Sequence, residues 1–132
     1  MVSLTTYIKN EIRVVLFAEL KSGREHTAVH TLLVDKGDSV IVRELKAILL
    51  GLEHMNFPTE IEIYTGNKWV VTALNEWAPK WQQDNWTKTN GKPVANKELW
   101  QQIMKELEKH TYKAMLKERY DVGFKRLCQG TK

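Results

Sequence analysis

Apolar and polar residues alternate early in the chain. Ile12, Val14, Leu16, Ala18 and Leu20 interleave with Arg13, Val15, Phe17 and Glu19, a period of two that predicts a strand. Ser22-Gly23 is a turn signal, and a second β-rich run over 25–34 puts Thr27, Val29, Thr31 and Leu33 on one face. Residues 4–8 read as a short first strand turning at Lys9-Asn10. Three antiparallel strands joined by tight hairpins are therefore expected. Lys36-Gly37-Asp38-Ser39 breaks the pattern, and Asp38 or Ser39 is placed to cap a helix. Ile41, Leu45, Ile48, Leu49, Leu52 and Met55 recur at helical spacing and predict that helix over 40–56, stopped by Pro58. A strand over 60–65 follows; a strand after a helix implies a crossover and a parallel neighbour. Asn67 is the expected cap of a helix from Lys68 carrying Val70, Val71, Leu74 and Trp77, with a restart at Pro79. Residues 84–94 read as loop. Asn96 should cap a helix bearing Leu99, Trp100, Ile103, Met104 and Leu107. A last strand over 111–116 and a short helix over 122–128 complete the order.

The length of 132 residues fits one domain over 1–132, and 42% hydrophobic and 27% charged residues are ordinary for a globule. The densest apolar run, Val14 to Ala18, is far short of the roughly 18 residues of a membrane span. The N-terminus has no apolar signal core, and the lone Cys128 cannot form an internal disulfide, so a cytoplasmic protein is expected. A net charge of +4 permits an anionic partner without requiring one.

Three segments then carry a resemblance. Thr65-Gly66-Asn67-Lys68-Trp69-Val70 follows a strand–turn–helix pattern T-D-S-x-x-V, with Gly66 where the pattern has Asp. Trp77, Trp81 and Trp86 follow W-x3-W-x4-W, and Gly91 to Trp100 reads G-K-P-V-x-N-x-x-L-W. The chain resembles the type 1 ribonuclease H family. The resemblance implies an α/β fold with a five-stranded mixed sheet, three antiparallel strands plus parallel strands, and helices on both faces. It also implies the family's chemistry, cleavage of the RNA strand of RNA/DNA hybrids with two metal ions. Two cations roughly 3.5–4 Å apart repel, so several carboxylates must converge on them.

By that resemblance the family's acids come from four places. Arg43-Glu44-Leu45 keeps one, Glu44. Tyr7 stands at the first position, Gly66 at the third, and Lys125 or Arg126 at the fourth. Glu62 shares a strand face with Gly66 but lies roughly 13 Å along it, too far to replace the missing acid. Asp121 is the remaining candidate. No intact catalytic set and no cofactor are expected, with Mg²⁺ required only if the protein is active. A helix dipole would favour a first-turn Glu44 without any function. His26 and His30 are too far apart on one strand for a common metal, and His54 and His110 have no partner in sequence.

The family's basic protrusion, which holds the DNA strand, corresponds here to Lys80, Trp81, Trp86, Lys88, Lys92, Asn96 and Lys97, opposed by Asp84. Lysines recruit phosphates and release counterions, while aromatic faces pack on sugars or bases. The competing reading makes Trp77 and Trp100 core residues, and Trp81 and Trp86 the protrusion's own small core. The expected function is weak binding of hybrid or duplex nucleic acid without cleavage. The alternatives are a protein-interaction scaffold or homodimer, with Tyr7 and Lys125 filling the old acid site and Val40, Ile41 and Val42 exposed, or a nuclease with a rearranged site. The basic tail from Lys117 is expected to be solvated.

Overall fold

β1 (Val2–Ile8), β2 (Glu11–Glu19) and β3 (Glu25–Leu33) form the antiparallel half of one sheet. β4 (Glu60–Thr65) pairs parallel with β1, and β5 (Thr111–Leu116) pairs parallel with β4. The order is β3-β2-β1-β4-β5, so β1 is central. The computed structural model describes residues 1–9, 11–19, 22–55 and 58–117. The expected helix over 122–128, with Cys128, lies outside them.

The period-two pattern sets the core. Leu4, Val14, Leu16, Ile61, Ile63 and Ala114 point to one sheet face. Against it packs α1 (Val40–Glu53) through Leu45, Ile48, Leu49 and Leu52, and α4 (Lys97–Leu107) packs on α1 and joins the same core through Trp100, Ile103, Met104 and Leu107. The edge strand β3 is exposed along almost its whole length. Ser39, not Asp38, caps α1, its hydroxyl accepting from the Val42 N–H at 3.2 Å. Asp38 instead pairs with Lys46. The helix ends at Glu53, earlier than the apolar spacing alone predicted.

Gly51 marks the closest approach of α1 to the sheet. A Cβ there would lie 2.7 Å from Leu4 Cδ1 and 2.9 Å from Val14 Cγ2. Alanine favours a helix interior by up to about 1 kcal/mol over glycine, but overpacking a core costs about 1–3 kcal/mol. Gly51→Ala should therefore destabilise the protein, lowering its urea midpoint; an unchanged or raised midpoint would show that α1 can lift off the sheet freely.

The segment after β4 is α2 (Lys68–Thr72), a π-helical turn (Ala73–Trp77) and α3 (Ala78–Gln83). Asn67 caps α2 as expected, accepting from the Val70 N–H at 3.2 Å. Pro79 sits in the first turn of α3, where a missing N–H is harmless. Inside the π turn, Asn75 uses its amide as a substitute strand. Its Nδ2 donates to the Ala114 carbonyl and its Oδ1 accepts from the Ala114 N–H, both at 2.9 Å. This satisfies part of the open edge of β5, which otherwise exposes unpaired backbone. The Tyr112 hydroxyl donates to the Leu74 carbonyl at 2.7 Å, and burial pushes its phenol above the ordinary range.

His30 of β3 and His54, just past α1, stack with ring centroids 3.6 Å apart. His54 Nδ1 also meets the Leu50 carbonyl at 2.8 Å. Burial, and secondarily the neighbouring His54, lower the His30 pKa. Protonation is thus disfavoured in the folded state relative to the unfolded one. The corresponding stability is present above the ordinary value of 6.5 and is lost as pH falls through the lowered folded value. We expect the urea midpoint to fall across that window, and to fall less in His30→Gln.

Candidate functional site

The parallel strands β1, β4 and β5 bring their carboxyl ends together, and α1 brings Glu44 to the same corner. Glu44 is not in the first turn of α1, so the dipole explanation for it fails. It is 7% exposed, and a single carboxylate oxygen, Oε2, accepts from the Thr6 hydroxyl at 2.7 Å and the Thr65 hydroxyl at 2.8 Å. Lys117 is held by the same two residues. Its Nζ donates to the Thr6 carbonyl at 2.6 Å, and its backbone N–H donates to the Thr65 carbonyl at 2.8 Å. The ammonium also sits 4.2 Å from the centre of the Tyr7 ring. A Cβ added to Gly66 would meet only Lys117 Cε, at 3.8 Å.

Three sequence expectations meet here. Tyr7 and Gly66 do flank Glu44's corner. The cation beside them is Lys117 and not a solvated tail residue; Asp121, Lys125 and Arg126 lie outside the described residues. Glu62, on the opposite parity from Thr65, takes a hydrogen bond from the Tyr64 hydroxyl. Among the described residues, no three His, Cys, Asp or Glu side chains converge to hold a metal ion. One carboxylate, two hydroxyls and an ammonium do not fit a pair of divalent cations.

A second feature is built by α2, the π turn, α3 and α4. Trp69, Trp77, Trp81 and Trp100 form one aromatic cluster. Trp69 contacts Trp77 at 5.4 Å and Trp100 at 6.3 Å between ring centroids, and Trp81 contacts Trp100 at 5.7 Å edge to face. Trp100 is fully buried and supports Trp69 and Trp81. Trp69 and Trp77 are 41% and 36% exposed. Trp77 is therefore not core, because the wider π turn rotates it away from the face of α2 that carries Val70. A cleft of about 360 Å³ opens over the cluster, lined by Trp69, Trp77 and Trp81 together with Lys80, Lys88 and Asp84.

Trp86 does not join that surface. It is 6% exposed and belongs to the core, so it supports the loop from beneath. Its burial requires Asn85 and Trp86 to take left-handed backbone, φ 55° and 61°, a region asparagine tolerates and that costs the tryptophan about 1–2 kcal/mol. The Trp86 N–H to the Trp81 carbonyl at 2.7 Å and the Val94 N–H to the Trp86 carbonyl at 3.1 Å hold it there. The loop then folds back at Thr87 and Pro93, with Gly91 supplying φ 84° for the tight turn. The Lys88 N–H meets the Lys92 carbonyl at 2.8 Å, so the two lysines sit side by side. Asn96 and Lys97 are exposed at the start of α4. Asn96 has φ 59° and makes no side-chain capping bond, contrary to expectation. Of the three apolar residues expected to be exposed, Val40 is, while Ile41 and Val42 are half-buried and Ile41 packs against the core.

The sequence model of the RNase H family matches residues 11–116. The chain belongs to the RNase H family. The Ribonuclease H of Rickettsia bellii is 40% identical over 68 residues, 52% of this chain and 44% of that protein. That of Caldicellulosiruptor saccharolyticus is 38% identical over 71 residues, 53% of this chain and 49% of that protein. Alignments thus span about half the length of the curated relatives. Among solved structures, LC9-RNase H1, described as a type 1 RNase H with the type 2 active-site motif, superimposes with a TM-score of 0.66. Its sequence is 13% identical, over 91% of this chain and 64% of that one. A foamy viral protease-reverse transcriptase in complex with dsDNA gives 0.65 at 14% identity, over 96% and 87%. These structures share the RNase H fold. No helix of the described residues is long and apolar enough to cross a membrane.

The sequence left Trp69 and Lys117 out of the site. For Lys117 no local signal was present: the register of β4 with β5, in which Thr65 pairs with Leu116, sets Gly66 beside it.

Proposed function

We propose that this RNase H-family chain binds RNA/DNA hybrid or double-stranded nucleic acid and leaves the RNA strand intact. Lys80, Lys88 and Lys92 take phosphates, and Trp81, with Trp69 and Trp77, takes the sugar or base faces. Asn96 and Lys97 extend the surface. The observation that carries this reading is the tryptophan-floored cleft with Lys80 and Lys88 on its walls. Basic groups beside exposed aromatic rings suit a polyanion with apolar faces. The foamy viral enzyme's capture with dsDNA and with RNA/DNA hybrid adds support from the fold. Non-cleavage follows from Glu44 being the single family acid position still acidic among the described residues.

A second reading is an active hybrid-cleaving ribonuclease, favoured by the retained, buried Glu44 and by the name Ribonuclease H of the relatives. Anisotropy of a labelled hybrid with Mg²⁺ across a salt series, with the same samples run on a denaturing gel, separates the two. Salt-sensitive binding with intact RNA is expected. Cleavage abolished by Glu44→Ala would establish the second reading, and absence of binding at low salt would refute the first.

A further inference from the structure

We infer that Lys117 is a built-in cation that takes the place of a divalent metal at the carboxyl ends of β1, β4 and β5. This follows from family membership and this corner's geometry, and it stands apart from the nucleic-acid reading. Tyr7 and Gly66, two departures from an acidic site, both lie beside Lys117 here. Tyr7 offers its ring to the Lys117 ammonium at 4.2 Å, the lysine stem passes Gly66 so that a Cβ there would lie 3.8 Å from Lys117 Cε, and the ammonium donates to the Thr6 carbonyl at 2.6 Å. Thr6 and Thr65 each bind Glu44 by hydroxyl and Lys117 by backbone carbonyl. The carboxylate and the lysine are thus fixed by the same two residues, Thr6 taking the ammonium and Thr65 the backbone N–H.

The chemistry suits an ammonium better than a metal. A lysine brings one charge and three donors, which a carbonyl and an aromatic face accept. Mg²⁺ requires near-octahedral oxygen ligands at about 2.0–2.1 Å and sheds water reluctantly. A dication entering this corner would meet one carboxylate whose Oε2 already takes two hydroxyl protons, and would be repelled by the tethered ammonium. A carboxylate at position 66 fits without strain, since only Lys117 Cε lies within ordinary contact. With Lys117 present, that carboxylate would pair with the ammonium and not with a metal.

The test is thermal unfolding with and without millimolar Mn²⁺. The unaltered protein should respond no more than Glu44→Gln does, and Gly66→Asp alone should respond little. Gly66→Asp combined with Lys117→Ala should gain several degrees in Mn²⁺, because the acid pair is then free of its internal cation. A Glu44-dependent rise in the unaltered protein overturns the inference. So does Gly66→Asp responding as strongly as the double variant, or a folded double variant that does not respond. Should the double variant fail to fold, Gly66→Asp combined with Lys117→Gln, which keeps most of the stem's packing, takes its place with the same expected gain, and its failure to respond when folded overturns the inference.

Discussion

Exchanging Lys80, Lys88 and Lys92 for glutamate is expected to abolish binding of hybrid or duplex at moderate salt. Three lysine–phosphate contacts give a log–log salt slope of about −2.7, at roughly −0.9 per phosphate neutralised. Raising salt from about 50 to about 200 mM should then weaken the unaltered protein roughly 40-fold. The variant replaces three attractions by three repulsions, so both its affinity and its salt slope should collapse. Lys88 and Lys92 lie side by side across the tight turn, and Lys80 lies on the cleft wall. A single phosphate run could therefore meet all three. Anisotropy measures this directly, and unchanged affinity in the variant would remove this surface from consideration. An unchanged urea midpoint in the variant would show that the loss is not unfolding, since all three positions are exposed.

Trp100→Ala should cost the most stability. Truncating a buried Trp typically costs about 3–5 kcal/mol, a large share of the about 5–15 kcal/mol that holds a domain together. Trp100 packs in the core cluster with Ile103 and Leu107 and also supports Trp69 and Trp81. Losing it should lower the urea midpoint steeply and weaken nucleic-acid binding by removing the ring that supports Trp69 and Trp81, which line the cleft. Trp100→Phe is expected to be milder. The Trp100 indole N–H is buried without a hydrogen-bond partner among the described residues, so phenylalanine removes an unsatisfied donor together with some volume. Trp77→Ala, 36% exposed at the rim of the cluster, should lower the midpoint less; a loss as large as that of Trp100→Ala would contradict the division into buried support and rim.

Much of the fold was legible in the chain because it rests on local periodicity. Period two along β2 set one buried face, and the 3.6 spacing of Leu45, Ile48, Leu49 and Leu52 set α1. The turn chemistry of Asn67 and Pro79 placed the start of α2 and the restart at α3. The motif from Gly91 to Trp100 located the basic loop. What the local pattern mispredicted was orientation. Trp77 has the spacing of a core residue along an α-helix, and the π turn rotates it out. Trp86 has the composition of a binding loop, and two left-handed residues turn it inward. Asn96 has the identity of a cap and the backbone of something else.

The sequence by itself determined the element order, the mixed sheet and the absence of acids at positions 7 and 66. Those follow from residue type and neighbour spacing, which act over a few residues. Only the tertiary structure decided which distant groups meet. His30 found His54 across β3 and α1, Trp69 joined Trp81 and Trp100 in one cluster, and Lys117 reached back to Thr6. The last contact spans 111 positions of sequence. It depends on the parallel register of β4 with β5 and of β1 with β4, which no local pattern encodes because burial of whole strand faces sets it.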